Sequence, residues 1–228
     1  MIRAKRGLLT MILPLALVLP GCATTMPGDP LEHYNRSMLG FNDAVDRVAL
    51  QPLAMTYREV VPDVVQTGVY NFFGNLGDIW TAVNNLLQGK VAHGVQDIMR
   101  VVVNTTFGIG GLIDISSQAG MEKHYQDFGT TLGVWGVPSG PFVMLPVLGP
   151  STLRDTAALP LDWEGDVWMQ VNPKSLRYSG YMLRTVDMRA SLLDASGLLE
   201  DAALDRYAFV RDGFMQRRAS KIERSKEE

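Results

Sequence analysis

A single cysteine, Cys22, in 228 residues leaves no partner for an intramolecular disulfide, so a packed domain here is held by burial alone even in an oxidising compartment. Histidine is nearly as scarce: His33, His93 and His124 stand far apart, with no His-x-x-x-His spacing and no second cysteine, which leaves a zinc site without support. A Gly-x-Ser-x-Gly elbow is also missing, and Ser139-Gly140 lies in a Gly/Pro tract without the strand-turn-helix setting of a hydrolase nucleophile. Gly108-Ile109-Gly110-Gly111 resembles half of a dinucleotide loop, but position 113 is Ile and no βαβ unit surrounds it. Asp162, Glu164 and Asp166 are close enough in sequence for acid/base work, yet with Trp163 and Trp168 they read better as an interfacial turn. No ATP-binding loop is present. These absences point away from an enzyme, and no cofactor or metal is expected.

The cysteine makes up in position what it lacks in number. Arg3, Lys5 and Arg6 precede the uncharged run Gly7 to Leu19, 13 residues against the roughly 20 that a spanning helix needs. This is an export signal that ends in Leu19-Pro20-Gly21-Cys22, with a small residue just before a thiol that would become the mature N-terminus and carry acyl chains. Each buried methylene contributes about 0.8 kcal/mol and one chain alone holds weakly, so two or three chains would make a durable anchor. Removing residues 1–21 takes away three of the 21 basic side chains and none of the 24 acidic ones, which leaves a net charge of −6. Acidity of that size argues against nucleic acid and against electrostatic adhesion to anionic lipid, so contact with a membrane has to be apolar.

The charges that remain are unevenly placed. None occurs between Arg100 and Asp114, and none from Phe128 through Leu153, a tract whose five Gly and four Pro forbid one spanning helix because the freed backbone groups would go unsatisfied in hydrocarbon. It reads as short helices and turns. Helical periodicity is plain elsewhere: Leu31, Tyr34, Met38, Phe41, Val45 and Val48 share a face after Asp29-Pro30, and Val61 to Leu87 forms a long amphipathic helix with Gly74 or Gly77 as its candidate bend. Further helices are predicted over Val91 to Val103, Ser151 to Leu159 with Ser151 as N-cap, Lys174 to Leu193, and Leu199 to Ile222. No stretch alternates strictly enough for a strand, and the charged end from Arg217 to Glu228 reads as a solvated or frayed tail. The fold class is mainly α.

The long helix carries an unusual second face, with Gln66, Asn71, Asn75, Thr81, Asn84, Asn85 and Gln88, and only Asp63 and Asp78 charged between Glu59 and Lys90. Two uses fit it. Amides can hydrogen-bond helix to helix in a core, or they can line a wet conduit that neither traps a charged headgroup nor excludes it. Trp80, Trp135, Trp163 and Trp168 likewise suit either packing or a membrane–water boundary.

From Asp29 to about Arg218 the chain resembles the MlaA/VacJ phospholipid-transport lipoproteins. The likeness runs through Asp29-Pro30-Leu31-Glu32, Tyr34-Asn35-Arg36, Phe41-Asn42, Asn71-Phe72-Phe73, Asn75-Leu76, Leu86-Leu87-Gln88-Gly89-Lys90, Asn104-Thr105-Thr106, Asp127-Phe128-Gly129, Trp135-Gly136-Val137 and Leu148-Gly149-Pro150-Ser151-Thr152. The resemblance implies a ring-like helical bundle embedded in one leaflet, with a central amphipathic channel and no enzymatic activity. It implies a lipoprotein on the periplasmic side of the outer membrane, tethered through Cys22, that passes phospholipid from the outer leaflet to a periplasmic carrier and keeps company with trimeric porins. Ala23 after the cysteine, by analogy with sorted lipoproteins, agrees with the outer membrane. Expected organisation is a signal over 1–21, a lipidated linker over 22–28, the helical domain over 29–218 and a charged tail over 219–228. Phe41, Asn42, Asn71, Phe72, Phe73, Asn75, Asn84, Leu87 and Gln88 are the candidate channel or gate residues. A structural lipoprotein that scaffolds porins or envelope complexes, and a periplasmic lipid hydrolase acting through Ser139, are the alternatives.

Overall fold

In a computed structural model, residues 29–194 and 205–228 are described; the expected leader, Cys22 and the expected helix start at Leu199 lie outside the described residues. The chain opens with α1 (Glu32–Val45), a five-residue π-helical stretch (Asp46–Leu50) and α2 (Gln51–Val60) in unbroken succession. Pro52 accounts for the register change. It has no N–H to give the preceding turn, its ring crowds the carbonyl four residues back, and a π bulge lets the rod pass it without ending. Val61 then turns extended, as a residue before proline prefers, and Pro62 starts α3 (Asp63–Leu87). That helix is continuous over its 25 residues; Gly74, a candidate bend, instead gives Lys123 room to reach its carbonyl at 3.1 Å.

Gly89, at φ +81°, closes α3 in a left-handed turn and sends the chain back as α4 (Val91–Phe107). The two helices meet at Gly94, where a Cβ would stand 2.7 Å from the Leu86 side chain. There follow α5 (Ile115–Gln118), capped by Asp114, and α6 (Phe128–Val134), capped by Asp127. α7 (Leu153–Gly165), a 3-10 turn (Val167–Gln170), α8 (Lys174–Ser191) and α9 (Arg206–Glu227) complete the helices. The N-cap of α7 is Thr152, whose hydroxyl accepts from the Asp155 N–H at 3.1 Å, one residue later than Ser151.

Strands are present after all. β1 (Phe142–Leu145) and β2 (Gly149–Thr152) form an antiparallel hairpin, Phe142 opposite Thr152 and Leu145 opposite Gly149. Neither four-residue piece alternates apolar with polar residues, although β1 buries Phe142 and Met144 and leaves Val143 and Leu145 half-buried, and the reason they pair lies on α1. Asn35 accepts from the Met144 N–H at 2.7 Å and donates to the Phe142 carbonyl at 3.0 Å. Two turns on, Asn42 accepts from Val147 N–H at 2.7 Å and donates to the Leu145 carbonyl at 2.9 Å. Two side-chain amides on one helical face thus stand in for a neighbouring strand. The hairpin packs Phe142 and Met144 with Tyr207, under Met38, Leu39, Phe214 and Met215, as the described apolar core cluster.

The charged end is not frayed. α9 runs through to Glu227, and Arg218, Lys221 and the buried Ser225 are tied to Asp127, Asp155 and Gln126. Neutralisation by partners distant in sequence is what composition could not show. The packed elements also close a circuit: α1 lies on β1, β2 on α9, α9 on α6, α6 on α3, α3 on α8, and α8 on α2, which continues from α1. The bundle is a ring.

Candidate functional site: an inside-out ring

Among the described residues, nine apolar side chains are buried against twenty-one polar or charged ones, while the exposed large apolar residues number thirty-eight. This inverts the usual order, since soluble monomers rarely leave contiguous apolar patches beyond a few hundred Å². The inversion is clearest on α4 and α3. On α4 the buried positions are Gly94, Asp97, Arg100 and Asn104, and the outward ones include Val91, Val95, Ile98, Met99 and Val102. On α3 the interior holds Asn75, Asp78, Thr81, Asn84 and Asn85 beside Phe73 and Ala82, while Val64, Val65, Tyr70, Val83, Leu86 and Leu87 look out.

The polar interior is closely partnered. Arg100 is fully buried and spends its guanidinium on Asp78, on Asp114 twice at 3.0 and 3.1 Å, on the Ser117 hydroxyl and on the Met121 carbonyl. Burial alone would raise the Asp114 carboxyl, but hydrogen bonds from Ser117, Asn104 and Arg100 outweigh it and hold the group well below the usual carboxylate range. Lys123 reaches Asp78 from the other side at 2.6 Å. A buried arginine with every donor satisfied fixes α4, α5 and the chain after them in one arrangement.

The sequence-predicted channel residues fall into two groups. Along α3, Asn71 donates to the Leu112 carbonyl, Asn75 to the Thr105 hydroxyl, and Asn84 to the Trp80 carbonyl while accepting from Thr131 at 2.7 Å. Gln88 donates to Thr131 at 3.0 Å, and the Leu87 carbonyl receives the Trp135 indole N–H. Phe72 and Phe73 meet Trp168 edge to face at 5.9 and 5.3 Å. Phe41 and Asn42 stand apart from these, on α1, with Asn42 on the hairpin and Phe41 exposed. The amides therefore do join helices, as the first of the two sequence readings has it. Even so, three buried side-chain oxygens, those of Asn75 and Asn85 on α3 and of Gln88 just past its end, have no donor among the described residues. A buried acceptor of that kind calls for water or a visiting polar group.

The carboxylates weighed for acid/base work are structural. Asp162 accepts from the Trp80 indole and the Phe128 N–H, both at 2.8 Å, and Asp166 caps the 3-10 turn and pairs with Arg184. Ser139 borders a cavity of about 290 Å³ that is lined by Arg154 and Arg218 among others and by no histidine. His93 and His124, distant in sequence, stack at 4.4 Å, and His124 meets Asp97 at 2.8 Å. Sequence reasoning did not single out Arg100 or Asn35 as interior anchors. The visible signal was an arginine at the edge of an uncharged tract and an asparagine seven positions before another.

A family model described as MlaA lipoprotein matches residues 27–221. The chain is 37% identical over 211 residues to the intermembrane phospholipid transport system lipoprotein MlaA of Escherichia coli, covering 88% of this chain and 82% of that one. It is 30% identical over 226 residues to the same-named protein of Haemophilus influenzae, covering 91% and 87%. A solved structure from work on the structural basis for maintenance of bacterial outer membrane lipid asymmetry superposes with a TM-score of 0.72 at 34% identity, covering 86% of this chain and all of that one.

Proposed function

The chain belongs to the MlaA lipoprotein family, and from that premise we propose that it withdraws phospholipids from the outer leaflet of the outer membrane and hands them to a periplasmic carrier, so maintaining lipid asymmetry. One observation carries this: a closed ring of helices whose apolar faces point outward and whose amides and ion pairs point inward. Such a ring is at home in hydrocarbon and offers a polar-lined path through it. No described helix is long and apolar enough to cross a membrane, which fits a protein seated in one leaflet and tethered through acylated Cys22.

The route runs beside the interior of α3. Asn71, Asn75, Asn84 and Gln88 supply uncharged hydrogen-bonding groups, Phe72 and Phe73 the apolar ones, and Phe41-Asn42, at the hairpin, the gate; Leu87, exposed on the other side of α3, belongs with the apolar belt. The protein provides passage rather than chemistry, with trimeric porins and the carrier as its partners. Deleting the gene should expose phospholipid at the cell surface, and a Cys22→Ala copy should fail to correct it while the native copy succeeds. Asn84→Asp, which places a charge against Thr131, should raise surface phospholipid at unchanged protein level. Unaltered surface lipid in Asn84→Asp and companion changes at Asn71 and Gln88 would remove α3 from the route.

A further inference from the structure

α9 turns Phe214, Arg217, Lys221 and Arg224 toward the segment Lys123–Gln126, and between them lies a cavity of about 590 Å³. That is within the roughly 300–1,000 Å³ of small-ligand sites. Spacings of three and four place these side chains on one helical side. Nearby carboxylates are already engaged: Asp127 with Arg218 and Lys221, Asp78 with Lys123, and Glu228 with Lys90 at 2.8 Å. Arg217 and Arg224 have no carboxylate among the described residues, so the wall keeps two unspent guanidinium groups. Burial draws the Lys221 ammonium below its ordinary value although Asp127 stands beside it. A poorly hydrated cation gains more from a second anion than a solvated one does.

The geometry points to this cavity as a seat for the phosphodiester of a glycerophospholipid, with Arg217, Arg224 and Lys221 taking the phosphate oxygens and Phe214 and Tyr125 lining the side from which the acylated glycerol leaves. Planar guanidinium groups match phosphate oxygens two at a time. The cationic residues lie one to three turns beyond Phe214 on the same helix face, an order that suits an amphiphile. This inference rests on the transport reading and adds the moiety that is gripped: the phosphate common to all phospholipids. A free phosphate ion shares that chemistry, and the apolar part of the wall is what tells them apart.

The test is titration of the full-length lipidated protein in uncharged detergent with dihexanoylphosphatidylglycerol, dihexanoylglycerol and inorganic phosphate. R217Q/R224Q should weaken the phospholipid about tenfold or more, the scale of one lost charge-assisted hydrogen bond, and leave dihexanoylglycerol unchanged. Neither arginine holds another residue in place, so the thermal midpoint should stay at the native value. R217K/R224K, which keeps the charge, should lose less. Native affinity for phospholipid in R217Q/R224Q overturns the seat, as does inorganic phosphate binding as tightly as the lipid. Absence of phospholipid binding to the native protein would instead bring down the transport reading beneath it.

Discussion

At the scale of single residues, an asparagine does the work of a strand. Asn35 has no exposed surface and satisfies one N–H and one carbonyl of β1. Asn35→Ala strands both, and each buried unsatisfied group costs about 1–3 kcal/mol. The urea midpoint of the protein in detergent should fall by the equivalent of about 2 kcal/mol or more, whereas the exposed neighbour Ser37→Ala should stay within about 0.5 kcal/mol. Equal midpoints for the two would mean that the hairpin holds without α1. Asn35 stood in the sequence as one of several matched positions, and its burial was not legible there because its partners are more than a hundred residues away.

Elements show the same dependence on distance. α9 was readable only in part, because its last turns carry charges that composition assigns to water. In the fold, Arg218 spans Asp127 and Asp155, joining α9 to α6 and α7. Burial by itself would raise the Asp127 carboxyl; the Arg218 hydrogen bond and the charges of Lys221 and Arg218 prevail and hold it well below the ordinary range. A folded value beneath the unfolded one stabilises at neutral pH, and that contribution fades as the pH drops below the ordinary carboxylate pKa of about 3.9 toward the lowered value. Amide exchange over 206–227 should therefore accelerate in that window before exchange in α3 does. Simultaneous loss of protection in both helices would show that the Asp127 contacts do not control the docking of α9.

The whole molecule is ordered by its surroundings. Outward Val95, Ile98 and Val102 on α4 and Val83, Leu86 and Leu87 on α3 are all exposed, an arrangement that water alone would not favour. Ile98→Asp separates the two environments sharply. On a water-facing surface it should shift stability by about 0.5 kcal/mol or less; in hydrocarbon it should cost about 2.5–3.5 kcal/mol. The ring reading predicts the second, seen as a lowered urea midpoint of the variant in detergent micelles at unchanged helicity before unfolding. A midpoint within about 0.5 kcal/mol of the native protein would place α4 outside the lipid-facing belt.

By itself the sequence determined the helical class and the faces of α3, because helical period is written in consecutive residues. It also carried the family likeness from Asp29 to about Arg218. Which face of each helix looks inward was decided only by the tertiary structure, since an amphipathic period is the same whether water lies outside or lipid does. The hairpin, the Arg100 network and the docking of α9 belong to that second class as well. Each rests on pairs of polar groups brought together from distant segments, and the free energy that justifies burying them exists only once both partners have arrived.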